Sequence, residues 1–157
     1  MKKIYSYFAV IFLGLSASAF SDELKLGYGK FEKGSKYYEN YMSEITYVYN
    51  NKDLLYGLTP IAGALKHQTA YMIYGGVQKK FKFKRFGLIP SVAPGYYEYG
   101  DEKNLGLEFQ IKSQIEFTID LINDYTLSYS WSHISNADLG NQNEGADNEM
   151  FFITKKF

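Results

Sequence analysis

A chain of 157 residues with 17 basic and 17 acidic side chains has no excess charge with which to hold a nucleic acid. The absence of cysteine excludes a disulfide scaffold and a thiolate metal site. Sixteen Tyr and twelve Phe, with 46% apolar residues overall, are more rings than a soluble domain of this size readily buries, whereas transmembrane β-barrels use them as interfacial girdles.

In chain order, Lys2 and Lys3 precede the apolar run Phe8 to Leu15, and Ala17-Ser-Ala19 supplies the small residues a signal peptidase requires. Residues 1–19 are therefore expected to be a cleaved signal peptide, leaving one domain, residues 20–157, that starts at Phe20 or Ser21. Its loss removes two lysines and no acids, so 15 basic groups face 17 acidic ones in a nearly neutral mature chain. The run is too short for a stop-transfer helix, and nothing later approaches the roughly 20 consecutive apolar residues of a spanning helix. Membrane insertion, in the outer membrane of a bacterium, is expected through strands.

Turn signals divide the remainder into eight candidate strands, near 23–32, 41–50, 54–64, 69–80, 86–98, 105–117, 125–136 and 147–157. Eight is the smallest usual closed transmembrane barrel, and closure is required because an open edge in lipid leaves backbone groups unpaired. The predicted fold is an all-β, eight-stranded antiparallel barrel. Asn50-Asn-Lys-Asp53, Lys82 to Arg85 and Asn123-Asp124 read as short periplasmic turns. Gly34 to Asn40, Gly100 to Asn104 and Ala137 to Ala146 read as outer loops. His67 lies near an outer loop with no visible partner and receives no role.

Pro90 and Pro94 each remove a ladder donor from the fifth strand, which predicts a bulge or a shorter strand there. The cluster Lys79, Lys80, Lys82, Lys84 and Arg85 reads as a solvated turn, with unspecific attraction to anionic headgroups as the alternative. The sixth strand carries the clearest pattern: Leu107, Phe109, Ile111, Ile115 and Phe117 alternate with Glu108, Gln110, Lys112, Gln114 and Glu116. Glu108, Lys112 and Glu116 are expected to fill a narrow lumen as a charge network, with no pore. A terminal Phe157 after Phe151, Phe152 and Ile153 is similar to the C-terminal aromatic of outer-membrane barrels.

The seventh strand holds the candidate site. Counting by twos puts Tyr125, Leu127, Tyr129, Trp131, His133 and Ser135 on one face, with Thr126, Ser128, Ser130 and Ser132 on the other. The first face reads as lipid-facing, where an imidazole and a hydroxyl lose hydration with no packing reason to be there. Catalysis is one explanation; an interfacial histidine bonded to a headgroup is the other. Residues two apart on a strand lie about 6.6 Å apart on one face, so His133 can lean toward Ser135 as general base to its nucleophile. The acid that orients the imidazole should come from the next strand, about 4.8 Å away. Asp147 and Glu149 share the outward parity of Phe151 and Ile153. Asp138, Asn141, Asn143, Glu144, Asp147 and Glu149 otherwise read as a solvated loop, since their spacing fits no Ca²⁺ loop.

His133-Ile-Ser135-Asn136-Ala-Asp-Leu139, followed by Asn143-Glu-Gly145-Ala-Asp147 and a last aromatic strand, resembles the active-site signature of the lipid A 3-O-deacylase (PagL) family of outer-membrane esterases. The resemblance implies an eight-stranded barrel with a Ser-His-acid triad on its outer wall, acting on lipid A or lipopolysaccharide among outer-membrane lipids, without cofactor or metal. It places Asp147 at the acid's position, where the family commonly has a longer Glu, and so leaves Glu149 as the alternative acid. It also implies oxyanion donors from Asn136 and from a backbone amide near Asp138. In a regular strand Asn136 points inward, so the chain must turn after Ser135. Asp138 stands where the family often has Gly. A homodimer is left open. The competing expectations are a noncatalytic barrel with a structural or display role, and a hydrolase acting on phospholipid or another acyl ester.

Overall fold

The computed structural model describes residues 22–31, 41–50 and 55–157. The expected signal peptide, the outer loop at Gly34 to Asn40 and all of the first turn but Asn50 lie outside them. The strands are β1 (Glu23–Lys30), β2 (Tyr41–Val48), β3 (Thr59–His67), β4 (Ala70–Gln78), β5 (Phe81–Phe83), β6 (Phe86–Glu98), β7 (Phe109–Asp120), β8 (Tyr125–Ser135) and β9 (Ala146–Lys156). Every pairing is antiparallel, and β1 pairs with both β2 and β9. β4 and β5 pair with β6 in one register, from Tyr71 opposite Glu98 to Phe83 opposite Phe86. They therefore form a single stave interrupted at Lys79 and Lys80. The β4–β6 pairing closes the sheet into an eight-stave barrel, as the turn spacing predicts. Phe157 N–H donates to Asp22 O at 2.9 Å, which ties the described ends of the chain at one rim.

The fifth-strand expectation is corrected. β6 is the longest strand, 13 residues, and its register with β7 runs without a slip from Phe86 opposite Ile119 to Tyr96 opposite Phe109. Pro90 and Pro94 have the same parity, so both missing donors fall on one side, toward β4. There the ladder lapses between the Tyr74–Gly95 and Val77–Val92 pairs, and again beyond Gln78–Ser91. Lys79 N–H still donates to Pro90 O at 3.0 Å, and the β6–β7 register is unbroken, so the loss is confined to one seam.

Boundaries also move: Lys82, expected in a turn, lies in β5, and two strand starts shift further. Residues 54–64 were expected as the third strand, but a 3-10 turn at Leu55–Gly57 holds Tyr56 and Gly57 at φ 56° and 72°, and β3 begins only at Thr59. The sixth predicted strand starts at Phe109 rather than 105, because Gly106 turns the chain at φ 91°. Glu108 consequently precedes β7 and is exposed, so it is not part of the lumen.

The lumen network forms from other partners. Lys25 Nζ lies 2.7 Å from Glu116 Oε2 and 3.1 Å from Gln78 Oε1, and Ser128 Oγ donates to Glu116 Oε1 at 2.7 Å. Lys112 pairs with Glu44, which also accepts from Tyr74, and the Tyr74 and Thr46 hydroxyls lie 2.6 Å apart. Buried charges survive only when paired and hydrogen-bonded, and each cation here meets a carboxylate. Above this layer, Met42, Leu65, Met72, Tyr97 and Ile134 form an apolar cluster. Their places near the ends of their strands put it under the rim opposite the chain ends.

Candidate active site

β8 follows the alternation predicted for it. Ser128, Ser130, Ser132 and Ile134 are buried, whereas Leu127, Trp131, His133 and Ser135 lie on the outer wall. On β9, Ala146, Asn148, Met150 and Phe152 are buried and Asp147, Glu149, Phe151 and Ile153 face outward. The register then decides which outward residues meet. His133 is directly opposite Asp147, and Trp131 is opposite Glu149. His133 Nδ1 lies 2.8 Å from Asp147 Oδ1, with the two side chains 43% and 51% exposed. Glu149 sits one pleat further from the rim, beside Trp131 on one side and Lys30 on the other.

Ser135 ends β8 two residues beyond His133 on the same face. Its hydroxyl makes no hydrogen bond to the imidazole among the described residues. Continuing the β8–β9 register places Gly145 across from Ser135. Gly145, at φ 61°, packs so close to the ring that a Cβ there would lie 2.7 Å from His133 Cε1 and 3.0 Å from Nε2. The imidazole is thus held at Nδ1 by the carboxylate and confined along its Cε1–Nε2 edge by the side-chain-free backbone of Gly145.

The chain does turn after Ser135. Ala137 and Asp138 adopt φ 54° and 59°, and Leu139 N–H donates to Asn136 O at 3.1 Å. Asn136 is completely buried, and its side-chain amide donates to Leu105 O at 3.1 Å and Gln142 O at 2.6 Å. Both amide protons are thereby spent under the loop, and the side chain does not reach the outer wall where an oxyanion would form. Its backbone N–H donates to Asn143 Oδ1 at 3.1 Å, and Asn143 Nδ2 donates to Asp138 Oδ1 at 2.9 Å. Asn143 thus clamps the turn from both ends. The N–H groups of Ala137 and Asp138 donate to no described residue.

His67, which showed no partner in the sequence, is buried with Nδ1 3.0 Å from Tyr41 O and Nε2 3.4 Å from Glu102 Oε2, stacked on Phe31. It buttresses the rim and does not touch the candidate site. A cavity of about 540 Å³ at the other rim is lined by Lys80, Lys82, Asp120 and Lys156 and shares no residue with it.

The model of the lipid A 3-O-deacylase (PagL) family matches residues 14–155. The chain belongs to this family. Among solved structures, the barrel is similar to one described as the crystal structure of the outer membrane enzyme PagL, with a TM-score of 0.66 and 12% sequence identity over 85% of this chain and 98% of that one. At that identity the likeness bears on the fold. No curated protein matches the chain. The family match spans β1 to β9 and so covers the outer-wall cluster of His133, Ser135 and Asp147.

Proposed function

We propose that this protein, as a lipid A deacylase of the outer membrane, cleaves the acyl chain ester-linked at the 3 position of lipid A with Ser135 as nucleophile, His133 as general base and Asp147 as the orienting acid. The observation that carries the reading is the 2.8 Å contact between His133 Nδ1 and Asp147 Oδ1 on a wall where Leu127, Trp131, Phe151 and Ile153 also face outward. A structural barrel gains nothing from an ionisable pair there, where desolvation penalises it.

The chemistry follows from the two ring nitrogens. With Nδ1–H directed at Asp147, Nε2, beside Gly145, is the base available to Ser135. As Ser135 Oγ attacks the ester carbonyl, its proton passes to Nε2, and Asp147 stabilises the imidazolium that forms. Collapse of the tetrahedral intermediate expels the sugar hydroxyl, which takes the proton from Nε2 and leaves an acyl-serine. Water, deprotonated by the same nitrogen, then releases the fatty acid and restores Ser135. Oxyanion stabilisation is assigned to the unpartnered N–H groups of Ala137 and Asp138, since the Asn136 side chain is engaged in holding the turn.

The test is mass spectrometry of lipid A from membranes with and without the protein. The expected product lacks one hydroxyacyl or acyl chain at position 3. Unchanged lipid A in the presence of folded protein would remove the proposal.

A further inference from the structure

We propose that Ser113 is a substrate-contacting residue that recognises a hydroxyl group on the β-carbon of the acyl chain being released; the inference rests on the Ser135 esterase reading above. The outward positions of β7 are Phe109, Ile111, Ser113, Ile115, Phe117 and Ile119, a hydrophobic face interrupted by a single hydroxyl. Ser113 is exposed, and no described residue hydrogen-bonds its side chain. A hydroxyl facing hydrocarbon carries a desolvation penalty unless something there pairs with it.

Its position says what that partner is. Ser113 lies directly opposite His133, on the flank away from Asp147. With the scissile carbonyl at Ser135, the tail of the substrate has to run from the rim toward the hydrocarbon, and the seam between β7 and β8 offers a direct path. The rows along that seam are Ile111 with Ser135, Ser113 with His133, Ile115 with Trp131, and Phe117 with Tyr129. Successive rows are about 6.6 Å apart. The β-carbon stands two bonds beyond the carbonyl carbon, less than one row, so a hydroxyl on it falls between the Ser135 and Ser113–His133 rows, within reach of a Ser113 side chain leaning toward the rim, while later carbons pass mainly apolar and aromatic surface. The imidazole does not compete for Ser113, because Nδ1 is held by Asp147 and Nε2 lies against Gly145 on the β9 side. The same geometry sets Ser113 apart from the nucleophile.

The experiment uses the full-length folded protein in detergent micelles with two probes, glucosamine acylated at O-3 with either a 3-hydroxytetradecanoyl or a tetradecanoyl chain. Wild-type protein should cleave the hydroxylated ester with the higher kcat/KM. Ser113→Ala should lose roughly fivefold on that ester, the worth of one hydrogen bond, and bring the ratio toward one. Ser113→Thr, which keeps the hydroxyl, should restore the ratio. A ratio that persists in Ser113→Ala, an equal fall on both esters, or no preference in the wild type overturns the inference. Ser135→Ala runs alongside: inactive Ser135→Ala with an unaltered ratio in Ser113→Ala defeats this inference alone, whereas active Ser135→Ala defeats the esterase reading beneath it.

Discussion

Replacing Gly145 with alanine tests whether the imidazole is held in place by the backbone of the neighbouring strand. The new methyl would stand 2.7 Å from His133 Cε1 and 3.0 Å from Nε2, where carbon contacts are comfortable only beyond about 3.5 Å. The ring must therefore retreat by most of an ångström or rotate away from Asp147. A misplacement of about 1 Å in a catalytic group costs on the order of 10²-fold in rate. Alanine at φ 61° also carries backbone strain of about 1–2 kcal/mol, which by itself affects stability and not chemistry. Gly57→Ala supplies the control, since it imposes similar strain at φ 72° with nothing within 4 Å of the added carbon. Both variants should lower the unfolding midpoint in urea, and only Gly145→Ala should lose deacylation. In a His133→Ala background the Gly145 change should have no further effect on rate. Full activity in folded Gly145→Ala, or an equal loss in Gly57→Ala, would refute the argument.

Asp147→Asn should reduce kcat by about 10³-fold or more while the barrel still shows heat-modifiable migration, because the amide favours the wrong histidine tautomer; Glu149→Gln should be mild, and the opposite ranking would move the acid to Glu149. Ser135→Ala and His133→Ala should each nearly abolish deacylation, with the double variant scarcely worse, since nucleophile and base act as one unit; additive losses measured in the same assay would separate their roles. Lys25→Met strands Glu116 as a buried unpaired carboxylate and should destabilise the barrel by about 3–5 kcal/mol, whereas adding Glu116→Gln should recover part of that loss in urea titrations.

Strand parity was the most legible property of this sequence. A period of two fixes the face of every residue once one is known, so the sequence alone puts Trp131, His133, Ser135, Asp147 and Glu149 in one outward set. The partner of His133 could not, because choosing Asp147 over Glu149 takes the β8–β9 register, which a ten-residue loop does not specify. Glu108 was misplaced because alternation persists into a loop that Gly106 sets at positive φ. The prolines of β6 misled for a different reason: a missing donor breaks a strand only if both neighbours need it, and these two affect the β4 seam alone. Asn136 was placed near the oxyanion by resemblance, whereas the left-handed turn that follows spends its amide on Leu105 and Gln142. Ser113 is inconspicuous inside a run of Ile and Phe. The signal was there, one hydroxyl where the pattern called for another apolar side chain.

His133, Ser135 and Asp147 stand on the outside of a barrel whose interior is filled by salt bridges and rings. On the proposed reading the substrate does not enter the protein; it meets the wall by moving sideways within its own leaflet. Encounter is a two-dimensional event, governed by the mole fraction of the lipid in the sheet around the barrel and not by any bulk concentration. Diluting the substrate with inert lipid slows such an enzyme even when the total amount per millilitre is unchanged. For a site so placed, the surrounding bilayer, in its packing and lateral mobility, sets the working speed.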